Sequence, residues 1–220
     1  MNFFCKKAFF VILVIFLMQL LFADNSPNDF VNSICNGLAQ NKNTTGDFIQ
    51  TKTIAESGRK LKSFGNFVIS PYGIMWKTEK PFANTLIVTE DKMIQITAGG
   101  KKSVLDGSEN QIFKNISAVL SSLFIGNSNE LYKNFEISVL EENEKNGNWI
   151  IELSPKDSNI SSVMKNFILT GKTEQNLTIL NSLEIVENSN NKIKYEFSNQ
   201  KYPQELTDDE KNIFTDNQKY

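Results

Sequence analysis

The sequence predicts an α+β fold in which antiparallel strands form one long open sheet and amphipathic helices cover its apolar face. Three observations lead to this prediction. Apolar and polar residues alternate in many short segments, the pattern of half-buried strands. Segments near the start, middle and end carry helical signals instead. No internal repeat or low-complexity block divides the chain. A closed barrel is the alternative, because it has no edges and can bury a ligand alone.

Residues 1–23 are predicted to form a cleavable secretory signal. Two lysines precede an apolar run over residues 8–22, and Ala23 then offers a small residue for a peptidase. An uncleaved membrane anchor is the alternative, but the run is short for a span of about 20 residues. The rest of the chain, residues 24–220, has the length of a single domain. We therefore expect an exported, single-domain protein.

Helical signals mark four segments, which are residues 27–40, 109–125, 129–135 and 207–214. Pro27 suits the first position of a helix, and apolar residues follow it at every fourth place. In the second segment, apolar residues recur at intervals of three and four, which is typical of an amphipathic helix. Thr207 and Glu210 form a capping-box pattern, which predicts a last helix that contains Phe214.

Strand signals dominate elsewhere, over residues 48–54, 61–69, 74–76, 86–89, 93–96, 135–141, 149–153, 177–186 and 192–198. Residues 160–167 fit either a helix or a strand. Because the strands follow one another with short turns between them, we expect them to pair mostly in antiparallel fashion.

The sequence lacks the residues that most catalytic sites need. The chain contains no histidine, which removes the usual general base, the Ser-His-Asp triad and the commonest metal ligand. Its acidic pairs are adjacent in sequence, so they point to opposite faces of a strand. No phosphate-binding glycine loop is present. We predict no enzyme activity, no metal and no cofactor, with a carboxylate pair assembled from distant strands as the open alternative.

Charge and cysteine content limit the partners. Without the predicted signal, the chain carries 21 basic and 25 acidic side chains, a net charge of −4. The charges are scattered and form no basic stripe, so nucleic acid is not an expected partner. Cys35 is the one thiol that remains after cleavage, and a single thiol forms no internal disulfide. We expect it to be packed among the apolar residues of the first helix.

Six motifs in the first half of the chain occur in an order and spacing that are specific as a series. They are Gly46–Lys52, Leu61–Ile69, Gly73–Trp76, Lys80–Phe82, Leu86–Thr89 and Asp91–Lys92. Weaker similarity continues through Trp149–Lys156 and Ile185–Ser198. Together these segments resemble the LolA family of periplasmic outer-membrane lipoprotein carriers, over most of the chain after residue 23.

The resemblance implies an incomplete, half-open antiparallel β-barrel whose concave apolar face is covered by helices. It also implies a periplasmic carrier without a cofactor, which takes the acyl chains of lipidated client proteins from an inner-membrane ABC-type release complex. The carrier then passes them to an outer-membrane acceptor. We expect it to act as a monomer. A carrier or sensor of another lipid, such as a glycolipid or a polyene ester, is the first alternative, and an enzyme on a similar sheet is the second.

Two sets of residues are predicted to form the lipid site. Strand alternation assigns a lipid-binding cavity to Phe48, Phe67, Ile69, Ile74, Trp76, Leu86, Val88 and Ile94. The apolar ridges of the predicted helix 109–125 assign a movable lid to Ile112, Ile116, Val119, Leu120 and Leu123. By the resemblance, Trp76 matches the family's tryptophan, and Ile74 matches an aromatic residue near the cavity mouth.

One departure from the family pattern concerns the lid. The family often has Arg-Pro before the matched tryptophan, and that arginine bonds to the lid in the closed form. This chain has Ser70-Pro71 in the same place. Its only arginine, Arg59, lies in the preceding turn region. We therefore expect either a lid that is held differently, or a client and release machinery that differ from those of the standard carrier.

Overall fold

The computed structural model describes residues 27–89, 92–105, 119–143 and 145–215. Internal contacts divide the chain into two compact units, Met1–Phe30 and Val31–Tyr220. Of the first unit, only residues 27–30 are described, all of them helical, and the predicted signal over residues 1–23 lies outside the described residues. Every described strand belongs to the second unit. None of the helices in the described segments is long and apolar enough to cross a membrane.

The described residues form eleven strands and five helices. The strands are β1 (Thr44–Thr53), β2 (Lys60–Ser70), β3 (Gly73–Lys80), β4 (Asn84–Val88), β5 (Met93–Thr97), β6 (Lys102–Leu105), β7 (Phe135–Glu142), β8 (Asn148–Pro155), β9 (Met164–Glu174), β10 (Leu177–Glu187) and β11 (Lys192–Lys201). The helices are α1 (Pro27–Ala39), α2 (described over residues 119–125), α3 (Ser128–Asn134), α4 (Ser158–Ser161) and α5 (Asp208–Thr215).

All eleven strands pair in antiparallel fashion in one sheet, in the order β6-β5-β4-β3-β2-β1-β11-β10-β9-β8-β7. The chain runs outward from β1 to β6, re-enters at β7 on the opposite edge and returns to β11. β1 and β11 therefore pair at the centre, in a register that places Phe48 opposite Phe197. β6 and β7 are the two edges, and the sheet is not closed. The predicted α+β fold with an open antiparallel sheet is confirmed, and the closed-barrel alternative is wrong.

The predicted strands are confirmed to within a few residues. The sequence did not predict β6 or most of β9. Residues 160–167, which fit a helix or a strand, contain the end of α4 and the start of β9. Helix α4 begins where the carboxylate of Asp157 accepts hydrogen bonds from the backbone N–H groups of Asn159 and Ile160. Because two elements meet in this short window, neither period is long enough there to be recognised.

The sheet is strongly curved, as the aromatic side chains on one face show. The rings of Phe48 on β1 and Trp76 on β3 have centroids 4.9 Å apart, although β2 lies between their strands. The rings of Trp76 and of Tyr195 on β11 are 5.0 Å apart across two intervening strands. In a flat sheet these strands would be about 10 and 14 Å apart. The face that carries these rings is therefore concave, and we call it the concave face.

A glycine and several β-bulges accompany this curvature. Gly65 on β2 lies between Phe48 on β1 and Thr78 on β3 in the register. A β-carbon at Gly65 would overlap the backbone carbonyl of Lys77 and press on the ring of Phe48. A bulge interrupts the β2–β3 ladder next to Gly65, and others occur in the β1–β11, β9–β10 and β7–β8 pairs. Each bulge bends its strand and increases the local twist.

The opposite, convex face of β2 to β5 is covered by the end of the chain. The buried residues of this cluster are Val68, Met75, Ile87, Ile94, Leu206 and Phe214. The first four lie side by side on neighbouring strands, and the last two come from α5 and the segment before it. The ring of Phe214 also stacks on Tyr72 in the β2–β3 turn, with centroids 6.4 Å apart.

Helix α5 starts as the sequence predicts but lies where it was not expected. The backbone N–H of Glu210 donates to Thr207 Oγ1 at 3.3 Å, and the backbone N–H of Thr207 donates to Glu210 Oε2 at 2.9 Å. The predicted capping box is thus confirmed. Helices were expected on the concave face, but α5 covers the convex one. The reason is that β2 and β3 are apolar on both faces, so the second face also needs a cover.

We expect Phe214→Ala to lower the free energy of unfolding by about 3–5 kcal/mol, because the ring is 1% exposed and its loss leaves a cavity under α5. The matched control is Phe82→Ala, since Phe82 is 81% exposed and its removal should change stability by less than about 0.5 kcal/mol. Urea denaturation measures both. Equal effects of the two variants would contradict the packing of α5 on the convex face.

Candidate functional site

The concave face is apolar across most of the width of the sheet. On β2 to β4, Phe67 lies opposite Trp76, and Trp76 lies opposite Leu86. One step along the strands, Ile69, Ile74 and Val88 form a second row in the same way. Phe48 on β1 is two residues from Gly46, the partner of Phe67. The structure therefore brings seven of the eight predicted cavity residues together on one face: Phe48, Phe67, Ile69, Ile74, Trp76, Leu86 and Val88.

The predicted place of Ile94 is wrong. Ile94 pairs with Ile87, and it lies with Met75 and Val68 on the convex face, under α5. The physical reason is the register across the β4–β5 loop, which pairs Val88 with Met93. Val88 lies on the concave face, so its partner Met93 and the other odd-numbered residues of β5 lie there too. Met93 therefore takes the concave position that was assigned to Ile94.

The second half of the sheet extends the same face with residues that sequence reasoning did not assign to the site. Starting from the β1–β11 pair, the register carries the face through Tyr195, Leu183, Leu169 and Ile151. Their immediate neighbours on this face include Ile193, Ile185, Phe167, Leu153 and Trp149. The strands 149–153 and 192–198 were predicted, so the alternation within each could have shown which of their residues share a face. What the sequence lacked was the register that places both halves on one face.

The aromatic cluster on the concave face consists of Phe48, Phe67, Trp76, Tyr195 and Phe197. Their ring centroids are 4.9–5.9 Å apart in six pairs, mostly in tilted or edge-on arrangements. Burial raises the pKa of Tyr195, so its hydroxyl stays protonated. Ile74, expected near a cavity mouth, is 5% exposed and lies beside this cluster. The cluster contains no charged group.

Three buried polar atoms on the concave face have no hydrogen-bond partner among the described residues. They are Trp76 Nε1, Trp149 Nε1 and Thr44 Oγ1. In the part of the chain that the structure describes, one further atom shares this property, Asn166 Oδ1. Asn166 pairs with Val186 and directly precedes Phe167, which is on the concave face, so the alternation of β9 places Asn166 on the other face. All three atoms on the concave face therefore belong to groups that can donate a hydrogen bond.

Helix α1 lies over the concave side of β10, and the end of α2 lies beside the end of α1. A β-carbon at Gly37 of α1 would overlap the hydroxyl of Thr178, which shares the concave side of β10 with Leu180. A β-carbon at Gly126, just after α2, would lie 2.9 Å from that of Ala39 at the end of α1. Gly126 has φ +77°, so it ends α2 in the left-handed region that favours glycine. α1 and α2 are thus joined at their C-terminal ends.

The predicted lid residues are described in part. Val119, Leu120 and Leu123 lie in α2, and each is almost completely buried, as the apolar ridge predicts. Ile112 and Ile116 lie outside the described residues. The role of α2 as a movable lid stays a prediction.

An ion pair between β1 and β10 marks one end of the concave face. Lys52 Nζ lies 3.4 Å from Glu187 Oε1, across the intervening strand β11. Glu187 Oε2 accepts hydrogen bonds from Asn191 Nδ2 at 2.9 Å and from Ser189 Oγ at 3.1 Å. Burial opposes ionisation of Glu187, but these hydrogen bonds and the charge of Lys52 outweigh it and lower its pKa from the ordinary 4.5. Asn191 also accepts from the backbone N–H of Ala55, which ties this corner together.

Ser70, which stands in place of the family's arginine, is used within its own turn. Its Oγ accepts a hydrogen bond from the backbone N–H of Tyr72 at 3.1 Å and donates to the carbonyl of Gly73 at 3.4 Å. In the alternation of β2, Ser70 is on the side of Val68 and not on that of Phe67. Its hydroxyl therefore stabilises the β2–β3 hairpin.

We expect Glu187→Gln to lower the free energy of unfolding by about 1 kcal/mol at pH 7. A carboxyl whose pKa is lowered by folding stabilises the fold above its unfolded pKa, and this stabilisation is lost as the pH falls through the folded pKa. The difference between the two proteins should therefore shrink as the pH falls below 4.5. Urea denaturation over a series of pH values measures it.

The control for this series is Glu136→Gln, because Glu136 is an exposed residue of β7. It should change the stability by less than about 0.5 kcal/mol at each pH. A difference for Glu187→Gln that stays constant from neutral to acid pH would show that its charge does not stabilise the fold.

Cys35 is packed inside α1, as the sequence predicts. The side chain is 1% exposed, and burial raises the pKa of its thiol to about 11, against a weaker opposing effect of a backbone hydrogen bond. Because the thiolate is the reactive form, alkylation of Cys35 by iodoacetamide at pH 8 should be on the order of 100-fold slower in the folded protein than in urea. Mass spectrometry of the peptide that contains Cys35 measures the rate. A Ser138→Cys thiol, exposed on β7, is the control, and equal rates at the two sites would contradict the burial.

The fold and the site define a class of protein. An open, curved antiparallel sheet presents an apolar concave face, and α1 lies over part of it. Within the described segments, no group of three or more Cys, Asp or Glu side chains is placed to hold a metal ion. This is the fold of a carrier of lipids or lipoproteins. The chain belongs to the LolA family, since the model of the outer membrane lipoprotein carrier protein LolA matches residues 39–213.

Two solved structures are similar to this chain. An outer membrane lipoprotein-sorting protein domain from Vibrio parahaemolyticus matches with a TM-score of 0.51 and 9% identity, over 84% of this chain and 97% of that chain. A LolA superfamily protein from Nitrosomonas europaea matches with a TM-score of 0.42 and 8% identity, over 80% of this chain and 96% of that chain. At this identity, the first similarity shows a shared fold. No curated protein sequence matches the chain.

Proposed function

We propose that this protein is a periplasmic carrier that shelters the acyl chains of lipidated proteins between the concave face and its covering helices. It receives the client from an ABC-type release complex of the inner membrane and passes it to an acceptor at the outer membrane. The single observation that carries the proposal is the apolar concave face, which crosses the sheet from β5 to β8 without a charged residue at its centre. Residues 24–220 are the carrier domain, and residues 1–23 direct its export.

The energy of acyl-chain transfer supports such a face. Each methylene group moved from water to an apolar site gains about 0.8 kcal/mol, so a chain of sixteen carbons gains on the order of 10 kcal/mol. A carrier that kept all of this energy would not release its client. The cost of separating buried residues of the cover from their neighbours reduces the net affinity.

Helix α2 is suited to supply that cost. Val119, Leu120 and Leu123 are buried in the described conformation, and exposing one such side chain costs about 1.5–3 kcal/mol. Moving all three would offset about 4.5–9 kcal/mol, half or more of the gain from one acyl chain, which leaves transfer to a better acceptor downhill. Because Ser70 is engaged in its own turn, apolar packing and not an arginine holds this cover closed.

The direct test is mass spectrometry of the lipids and lipopeptides that co-purify with the protein from its native cells. Recovery of peptides that carry a diacylated N-terminal cysteine supports the proposal. Recovery of a glycolipid or a polyene ester alone would show that the protein is a lipid carrier with a client other than a lipidated protein. A protein that carries no lipid and binds no diacyl lipopeptide in vitro would contradict the proposal.

The cover hypothesis predicts that a weaker cover raises affinity. Leu120→Ala should destabilise the fold by about 2–4 kcal/mol yet bind a dipalmitoyl lipopeptide about tenfold more tightly, because less packing is lost when α2 moves. Fluorescence titration measures the affinity.

Leu206→Ala is the matched control for that variant. Leu206 is as deeply buried, but it lies on the convex face under α5. It should lose similar stability with no gain in affinity. Tighter binding in both variants, or in neither, would sink the role of α2 as the cover.

A further inference from the structure

We infer that the indole N–H of Trp76 binds the ester or amide carbonyl at the head of an acyl chain, so that the site selects carbonyl-linked chains over plain hydrocarbon. The inference rests on the proposed function and names the ligand chemistry of the same site. It starts from the position of Trp76 Nε1, which is buried on the concave face and has no hydrogen-bond partner among the described residues.

An unpartnered buried donor is costly to the empty protein. Trp76 is 4% exposed, and rings of four other aromatic residues surround its indole. All of these neighbours are Phe or Tyr, so a phenylalanine would satisfy the packing at this position without a buried donor. Leaving a buried N–H without an acceptor opposes folding, and the cost disappears when an acceptor arrives.

The polar groups of the concave face match one kind of ligand. Trp76, Trp149 and Thr44 all offer hydrogen atoms, and an indole has no acceptor at all. A ligand for this face must therefore supply acceptors without bringing a charge into apolar surroundings. Ester and amide carbonyls do so, and every acylated lipid or peptide carries one at the head of each chain. An alkyl ether of equal length is a weaker acceptor, and an unsubstituted hydrocarbon has none.

Trp76 is better placed than Trp149 for this contact. The indole of Trp149 is fixed against β9, where a β-carbon at Gly171 would overlap its ring. Trp76 is bordered by side chains instead, and these can rotate apart when a chain enters. It also lies in the middle of the aromatic cluster, on the face that the acyl chains occupy in the proposed carrier.

The test compares two lipids that differ only in the linkage. The protein is expressed from its full sequence and titrated with dipalmitoylglycerol or with dihexadecylglycerol, the ether of matched length. We expect the wild-type protein to bind the ester about tenfold more tightly. Trp76→Phe should lose most of this preference while keeping its affinity for the ether. Trp149→Phe removes the other buried indole donor and tests whether Trp149 makes this contact instead. Leu206→Ala, on the convex face, is the control and should keep the preference.

A spectroscopic signal separates a direct bond from a change in packing. The chain has two tryptophans, so nitrogen-15 labelling of tryptophan gives two indole N–H resonances, and Trp76→Phe identifies one of them. That resonance should move downfield with the ester and stay in place with the ether. An equal preference in the wild-type protein and in Trp76→Phe, or loss of preference in Trp149→Phe alone, would overturn the inference. Binding of neither lipid would overturn the proposed function as well, whereas equal binding of both would overturn this inference alone.

Discussion

The convergence of side chains on the inside of a curved sheet is the constraint on which the rest of this structure depends. Trp76 and Tyr195 touch although two strands separate theirs, which requires the sheet to bend sharply between β3 and β11. The bend gathers apolar side chains from both halves of the chain into one surface. It also leaves the sheet open at β6 and β7, so helices and not further strands must shield that surface.

Both faces of the first half of the sheet are buried, but they differ in composition. α5 packs on the convex side, where Phe214 and Leu206 join a conventional core. The concave side is large, aromatic and contains unpartnered donors, which a core selected for stability alone would avoid. This contrast separates the part of the molecule that only folds from the part that we assign to a ligand.

Much of this arrangement could be predicted from the sequence, and the errors have physical causes. Strand alternation placed Phe67, Trp76 and Leu86 on one face, and the register of β2, β3 and β4 agrees with it. It failed for Ile94, where the β4–β5 loop exchanges the faces. The capping box at Thr207 gave the start of α5, but local signals do not state which face a helix covers. To place Tyr195 in the aromatic cluster required the β1–β11 register. This register pairs residues about 150 positions apart, and no local sequence pattern indicates it.

That central seam has a consequence for how the protein reaches its native state. Strands β1 to β6 can form as consecutive hairpins, as can β7 to β11, but the two halves become one sheet only when β11 pairs with β1. Closing such a long loop is entropically slow compared with hairpin formation. Until then each half exposes apolar surface and a strand, β1 or β11, that lacks its partner at the centre of the sheet. Newly synthesised chains are therefore most prone to aggregation before β11 has paired with β1.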